Sequence, residues 1–320
     1  MKLWMILLAS LAISTASFAV SMTNEMQALS SALKTQKHSA TNPKNDFSLY
    51  SGLILLKTAL LDRQASSQTQ LHSLAKGTEQ FNALSASLNS DQKALQQIQS
   101  IQDGLIKFFT GKGGVAVFNA EQGYFYSSVD TQHLGDTAAT PFAVDVQTWG
   151  AAVIAADFTL LKAVEAAYGA DALYRMFQST IQYSGYYANN KLLGVGYTTQ
   201  KSTDSHYVLS GEWTLGAINA AIVLADHYGN DTNKKTALLQ AAKAMLQGVT
   251  EQASNVAGSG SNATLSYLYA NKRVFIPFGW YSNAVPATAS TAWSIMINNC
   301  YNPFEIGGGN HQAICRELGL

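Results

Sequence analysis

The sequence predicts an all-α fold: helical hairpins arranged as an α/α barrel or toroid, with long aromatic-rich loops at one end. Three observations carry this. Segments near 145–156, 212–228 and 290–299 are apolar on nearly every side, the mark of helices buried in a core. Behind the first two come segments near 159–181 and 232–253 that are apolar on one stripe only, the mark of surface helices. No sandwich-type strand alternation is present, although short strands inside the loops fit around 115–118 and 273–276. Buried helices followed by amphipathic ones describe concentric rings better than the alternative, an irregular helical bundle.

The elements follow in chain order. Residues 1–19, MKLWMILLASLAISTASFA, have a positive end at Lys2, an apolar core from Trp4 to Ile13 and a small-x-small site at Ser17 and Ala19. That is the signal-peptide pattern, and its apolar core is shorter than the about 20 residues that span a bilayer. The remainder, 20–320, reads as one exported domain, periplasmic or secreted, without stable membrane insertion. Its first part, 20–110, has three glycines against 21 in 111–320, and reads as helices. Leu49, Leu53, Leu56 and Leu60 share one helical face, as do Leu95, Ile98, Ile101, Leu105 and Phe109. Ser-Leu-Asn-Ser before Asp91 suits a turn and an N-cap. The part 111–305 carries the motifs, and 306–320 is a C-terminal tail.

Composition excludes several classes. Charged residues are 12% of the 320 and balance to zero, while aromatics reach 10%. A disordered chain would be charge-rich and aromatic-poor, and a nucleic-acid binder would cluster Lys and Arg. Cys300 and Cys315 are the only cysteines. An oxidising compartment would let them pair and staple the tail; two free thiols is the other reading. The six histidines form no metal motif, so no metal is expected, nor any cofactor. Gly-Lys-Gly-Gly at 111–114 lacks the spacing of a phosphate loop.

The aromatic residues mark where chemistry would sit. Windows 111–149, 183–213 and 267–304 cover a third of the chain and hold 21 of its 33 aromatic residues. Each window leads into an apolar helix, so in a ring of inner helices they converge on one face. Flat rings with polar edges suit the faces of sugars. Two acids stand at the starts of those helices: Asp145, one turn before Trp149, and Glu212, next to Trp213. Paired carboxylates are what glycoside hydrolysis requires. A helix start favours the carboxylate anion, and burial against Trp213 would favour the protonated acid at Glu212. The plainer role is that of helix-start acids, with Ser210 as an N-cap. Asp130, Asp136 and Asp204 are reserve candidates for a base.

The stretches AVDVQTWGAAVI, SGEWTLGAINAA and FGWYSNAVPATASTAWSIMINNCYNPF resemble signature segments of exported proteins in the six-hairpin glycosidase superfamily. The resemblance covers roughly 115–305 and is more specific for the superfamily than for a substrate. It implies an (α/α)6 toroid with a carbohydrate cleft at one end. It also implies Glu212 as the acid and Asp145 as a base or substrate-holding residue. The Gln- and Ser-rich N-terminal third departs from it.

The expected function is hydrolysis of a poly- or oligosaccharide. Trp149, Trp213, Trp280, Tyr281, Tyr126 and Tyr197 are the expected ring surfaces, and Asn283 and Arg273 the hydroxyl-binding residues. The alternatives are a non-catalytic carbohydrate-binding protein on the same scaffold and a polysaccharide lyase, whose base would come from Tyr126, Tyr197 or His206.

Overall fold

A computed structural model describes residues 43–112, 116–127, 142–200, 207–257, 264–305 and 308–320, with side chains from Tyr50 onward. The expected signal peptide at 1–19 lies outside the described residues, as do Asp130, Asp136, Asp204 and His206. The described residues are mostly helical. Helix α1 is Pro43–Ser73, α2 Glu79–Phe109, α3 Val144–Ala156, α4 Phe158–Tyr168 and α5 Ala172–Ser184. Helix α6 is Gly211–His227, α7 Thr232–Gln252, α8 Thr288–Asn298 and α9 Gln312–Leu318. None is long and apolar enough to cross a membrane.

Four two-stranded antiparallel sheets sit in the connections: β1 (Phe118–Asn119) with β2 (Tyr124–Phe125), β3 (Gly185–Ala188) with β4 (Lys191–Val195), β5 (Ser254–Ala257) with β6 (Thr264–Tyr267), and β7 (Phe275–Ile276) with β8 (Trp280–Tyr281).

Helices α1 and α2 form a long hairpin. Its turn lies at 74–78, where Gly77 adopts φ +87° and the Thr78 hydroxyl accepts from the Phe81 N–H as N-cap of α2. The turn expected before Asp91 is absent, because α2 runs through it. Asp91 is instead a buried residue in mid-helix, paired with Arg63 of α1 through both carboxylate oxygens. The Tyr50 hydroxyl ties the hairpin to the rest by donating to Asp157 at 2.9 Å, the N-cap of α4.

The all-round apolar segments are the buried helices. In α3 every residue from Val144 to Ile154 is buried, and in α6 every residue from Gly211 to Ala225 except Glu212. Gln147 is polar within α3, and its amide serves as a strand partner. It accepts from the Phe125 N–H and donates to the Phe125 carbonyl, both at 2.8 Å. Helix α6 packs against α3, α5, α7, α8 and α9. The single amphipathic helix expected over 159–181 is two, α4 and α5, because Gly169 ends the first with φ +92°. The β3–β4 and β5–β6 hairpins were not expected from the sequence.

Helix α7 lies so close to β4 that a Cβ at Gly248 would overlap the backbone of Leu193. Backbone cannot rotate away as a side chain would. Gly248→Ala is therefore expected to destabilise the fold by about 1–3 kcal/mol, read as a lowered urea midpoint with an unchanged m-value.

Beyond α8, Cys300 and Cys315 are joined by a disulfide, with Cα atoms 6.1 Å apart. The chain it closes is pinned to α6 twice. Asn219 donates to Asn302 at 3.1 Å, and the buried His311 ring lies between Asp226 (Nδ1, 3.1 Å) and Glu305 (Nε2, 2.9 Å). Burial alone would lower the His311 pKa. The hydrogen bond and charge of Glu305, with Asp226, outweigh it, so the ring titrates above its usual range. The hydrogen bond from His311 holds Glu305 below the usual carboxylate value. The histidine's contribution is complete below its unfolded pKa and lost as pH rises through the raised folded one. The contribution of Glu305 is present above its unfolded pKa and lost as pH falls through its lowered folded value. The thermal-stability gap between the native chain and His311→Gln should therefore be widest near about pH 5.5–6.5 and narrow toward about pH 9. A gap that grows with pH would contradict this arrangement.

Candidate functional site

The N-terminal ends of α3 and α6 are drawn together by the loops that carry the aromatic residues. The Val144 N–H donates to the Tyr197 carbonyl at 3.1 Å, which anchors the start of α3 to the segment after β4. The Gly211 N–H donates to the Tyr269 carbonyl at 3.0 Å, and the Tyr197 hydroxyl donates to the same carbonyl at 3.0 Å. Segment 268–270 is bridged on one side to Ser210 and on the other to Pro286. The approach at Gly211 is so close that a Cβ there would overlap the Leu268 carbonyl. Ser210 is the N-cap of α6, its hydroxyl accepting from the Trp213 N–H at 3.2 Å.

Both predicted acids belong to this assembly. Glu212 is half-buried in the first turn of α6. Asp145 is 1% exposed, and its Oδ1 accepts from the Val146 N–H at 2.9 Å. Their charges act on a common neighbour. Burial raises the Tyr269 phenol above its usual pKa, and the negative charges of Glu212 and then Asp145 raise it further, against the lowering influence of Tyr197 and Trp280. Burial, Tyr269 and Glu212 likewise raise Tyr197. The two carboxylates thus lie within electrostatic reach of one tyrosine.

Rings pack around Tyr197 and Trp280. Tyr197 meets Trp213 edge to face at 4.8 Å, Tyr269 at 5.5 Å and Trp280 at 6.4 Å. Phe278 stacks on Trp280 at 5.5 Å and lies 6.2 Å from Trp213. Tyr197 is fully buried and Trp213 5% exposed, so these two rings form the wall of the assembly, while Trp280 and Phe278 are partly open.

The other predicted residues lie elsewhere. Trp149, 7% exposed, stacks on Trp293 at 5.9 Å, and its indole packs directly on Gly216 of α6. A ring enclosed in this way serves the core. Tyr126 joins a separate cluster through Tyr124, which also meets Phe142 and Tyr183. Tyr281, Arg273 and Asn283 are exposed, and the Asn283 side chain accepts from the Ala284 N–H. Tyr269 and Phe278 were missed by the sequence reading. Tyr-Leu-Tyr at 267–269 is a strand-like alternation, but its place beside the start of α6 depends on the bridge of Ala270 to Ser210. Comparison with known protein families, curated proteins and solved structures gives no match, so the case for a function rests on this arrangement of acids and rings.

Proposed function

We propose that the chain is an exported carbohydrate-active protein: a glycoside hydrolase of six-hairpin type that cleaves a poly- or oligosaccharide with Glu212 and Asp145. The observation carrying this reading is that the starts of the two buried helices that bear these acids are hydrogen-bonded to Tyr197 and Tyr269, two rings of one aromatic cluster. Glu212 is the less buried of the two and is assigned as the acid that protonates the leaving oxygen. Asp145 is assigned as the base or the residue that holds the substrate. Trp280 and Phe278 offer the open ring faces. The sequence of buried α3, outer α4 and α5, buried α6 and outer α7 supports the toroid reading. The leader pattern and the disulfide support export.

The test is reducing-sugar release from a panel of glycans. Glu212→Gln and Asp145→Asn should each lower turnover by about 10²–10⁴-fold without changing the thermal transition. Absence of turnover by the native chain on every glycan would remove the hydrolase reading. Asp145 is so deeply buried that it favours a second reading, a non-catalytic carbohydrate-binding protein, in which binding survives without turnover. A product carrying a new conjugated double bond would transfer the assignment to a lyase.

A further inference from the structure

The β7–β8 hairpin has two faces, and only one belongs to the site above. Phe275 pairs across the ladder with Tyr281, and Ile276 with Trp280. Cross-strand partners share a face, and faces alternate along a strand. Ile276, fully buried, and Trp280 therefore turn toward Tyr197. Phe275 and Tyr281 turn outward, 47% and 56% exposed, with ring centroids 5.2 Å apart. The guanidinium of Arg273 lies over the Tyr281 ring at 4.5 Å.

A guanidinium held over a ring keeps N–H groups for a ligand. Among the described residues Arg273 makes no hydrogen bond or ion pair, and its neighbour Lys272 makes no ion pair. Two open rings and a cation that no carboxylate of the described residues pairs form a surface with apolar faces and a guanidinium available to an anion. A neutral sugar would satisfy the rings and offer the guanidinium only neutral hydroxyl acceptors, weaker than a carboxylate. A uronic acid satisfies both, its ring packing against the exposed parts of Phe275 and Tyr281 and its carboxylate taking parallel hydrogen bonds from Arg273.

The geometry points to this outer face as a second binding site of the same protein, one that holds a uronic acid residue of an acidic glycan chain. The inference rests on the carbohydrate reading and narrows its substrate class. The two faces are carried by adjacent residues of β8, Trp280 and Tyr281.

Affinity electrophoresis and calorimetry with polygalacturonate, alginate and hyaluronan, each beside its methyl-esterified form, test this. Esterification keeps the sugar rings and removes the charge. The native chain should bind at least one acid form about tenfold more tightly than its ester. Arg273→Met should abolish that preference, Arg273→Lys should keep part of it, and Phe275→Ala with Tyr281→Ala should weaken both forms. Equal binding of acid and ester, an unaffected Arg273→Met, or no binding to any pair overturns the inference. So does an effect of the ring substitutions on self-association alone, read by sedimentation. Glu212→Gln separates the two readings: it should keep Arg273-dependent binding even where turnover is lost. Arg273-dependent binding with no turnover by the native chain would sink the hydrolase and leave this site standing.

Discussion

Trp149→Ala is expected to lower the stability of the fold by about 3–5 kcal/mol. The indole lies where three segments meet. It leaves α3, stacks on Trp293 of α8 at 5.9 Å and approaches Phe304 at 6.3 Å in the chain beyond it. Its edge packs on α6 at Gly216, where an added Cβ would overlap it. Truncation removes the contacts of a large ring and leaves a cavity bounded by helices, which relax only partly. Trp149→Phe should cost less, because it keeps a ring against Trp293. Chemical denaturation of the two variants checks both statements. A loss under about 1 kcal/mol for the alanine variant would contradict the core role of the ring.

The second large effect lies in the N-terminal hairpin. Arg63→Met should destabilise by about 3 kcal/mol, because it leaves the Asp91 carboxylate buried without its cation. The Asp91 side chain is 3% exposed and that of Arg63 33%, so the magnitude falls at the lower end for buried pairs. Arg63→Met combined with Asp91→Leu should recover most of the loss, since an apolar pair of similar size has no charge to desolvate. Thermal unfolding of the two single variants and the double gives the coupling directly. A loss in the double variant equal to the sum of the two single losses would mean that the pair is not coupled.

These sites also mark how far the sequence could be read. The buried helices were legible because they are apolar on all sides, and α3 and α6 begin within one residue of their expected starts. The turn before Asp91 was misread because Ser-Leu-Asn-Ser-Asp carries local cap signals. A partner 28 residues away overrides them, and Arg63 holds Asp91 inside a continuous helix. Gly169 and Asp171 already carried a helix end and a new start. Asn189 and Asn190, with φ of 50° and 61°, form a hairpin turn of the kind left-handed residues build. The acids of the candidate site were visible as helix-start residues. The division of Trp280 from Tyr281 was not, because it depends on the ladder register between 275–276 and 280–281.

Gln147 has a further consequence. A sheet only two strands wide exposes the outer backbone groups of each strand, and an exposed edge is a template on which a second chain can add a strand. At Phe125 both of those groups are occupied by the amide of a buried helix residue. The amide imitates one residue of a neighbouring strand, satisfies the ladder and ends it there. Helix α3 thereby closes the outer rim of β2 at that residue, so an aggregating partner finds no free donor or acceptor on it.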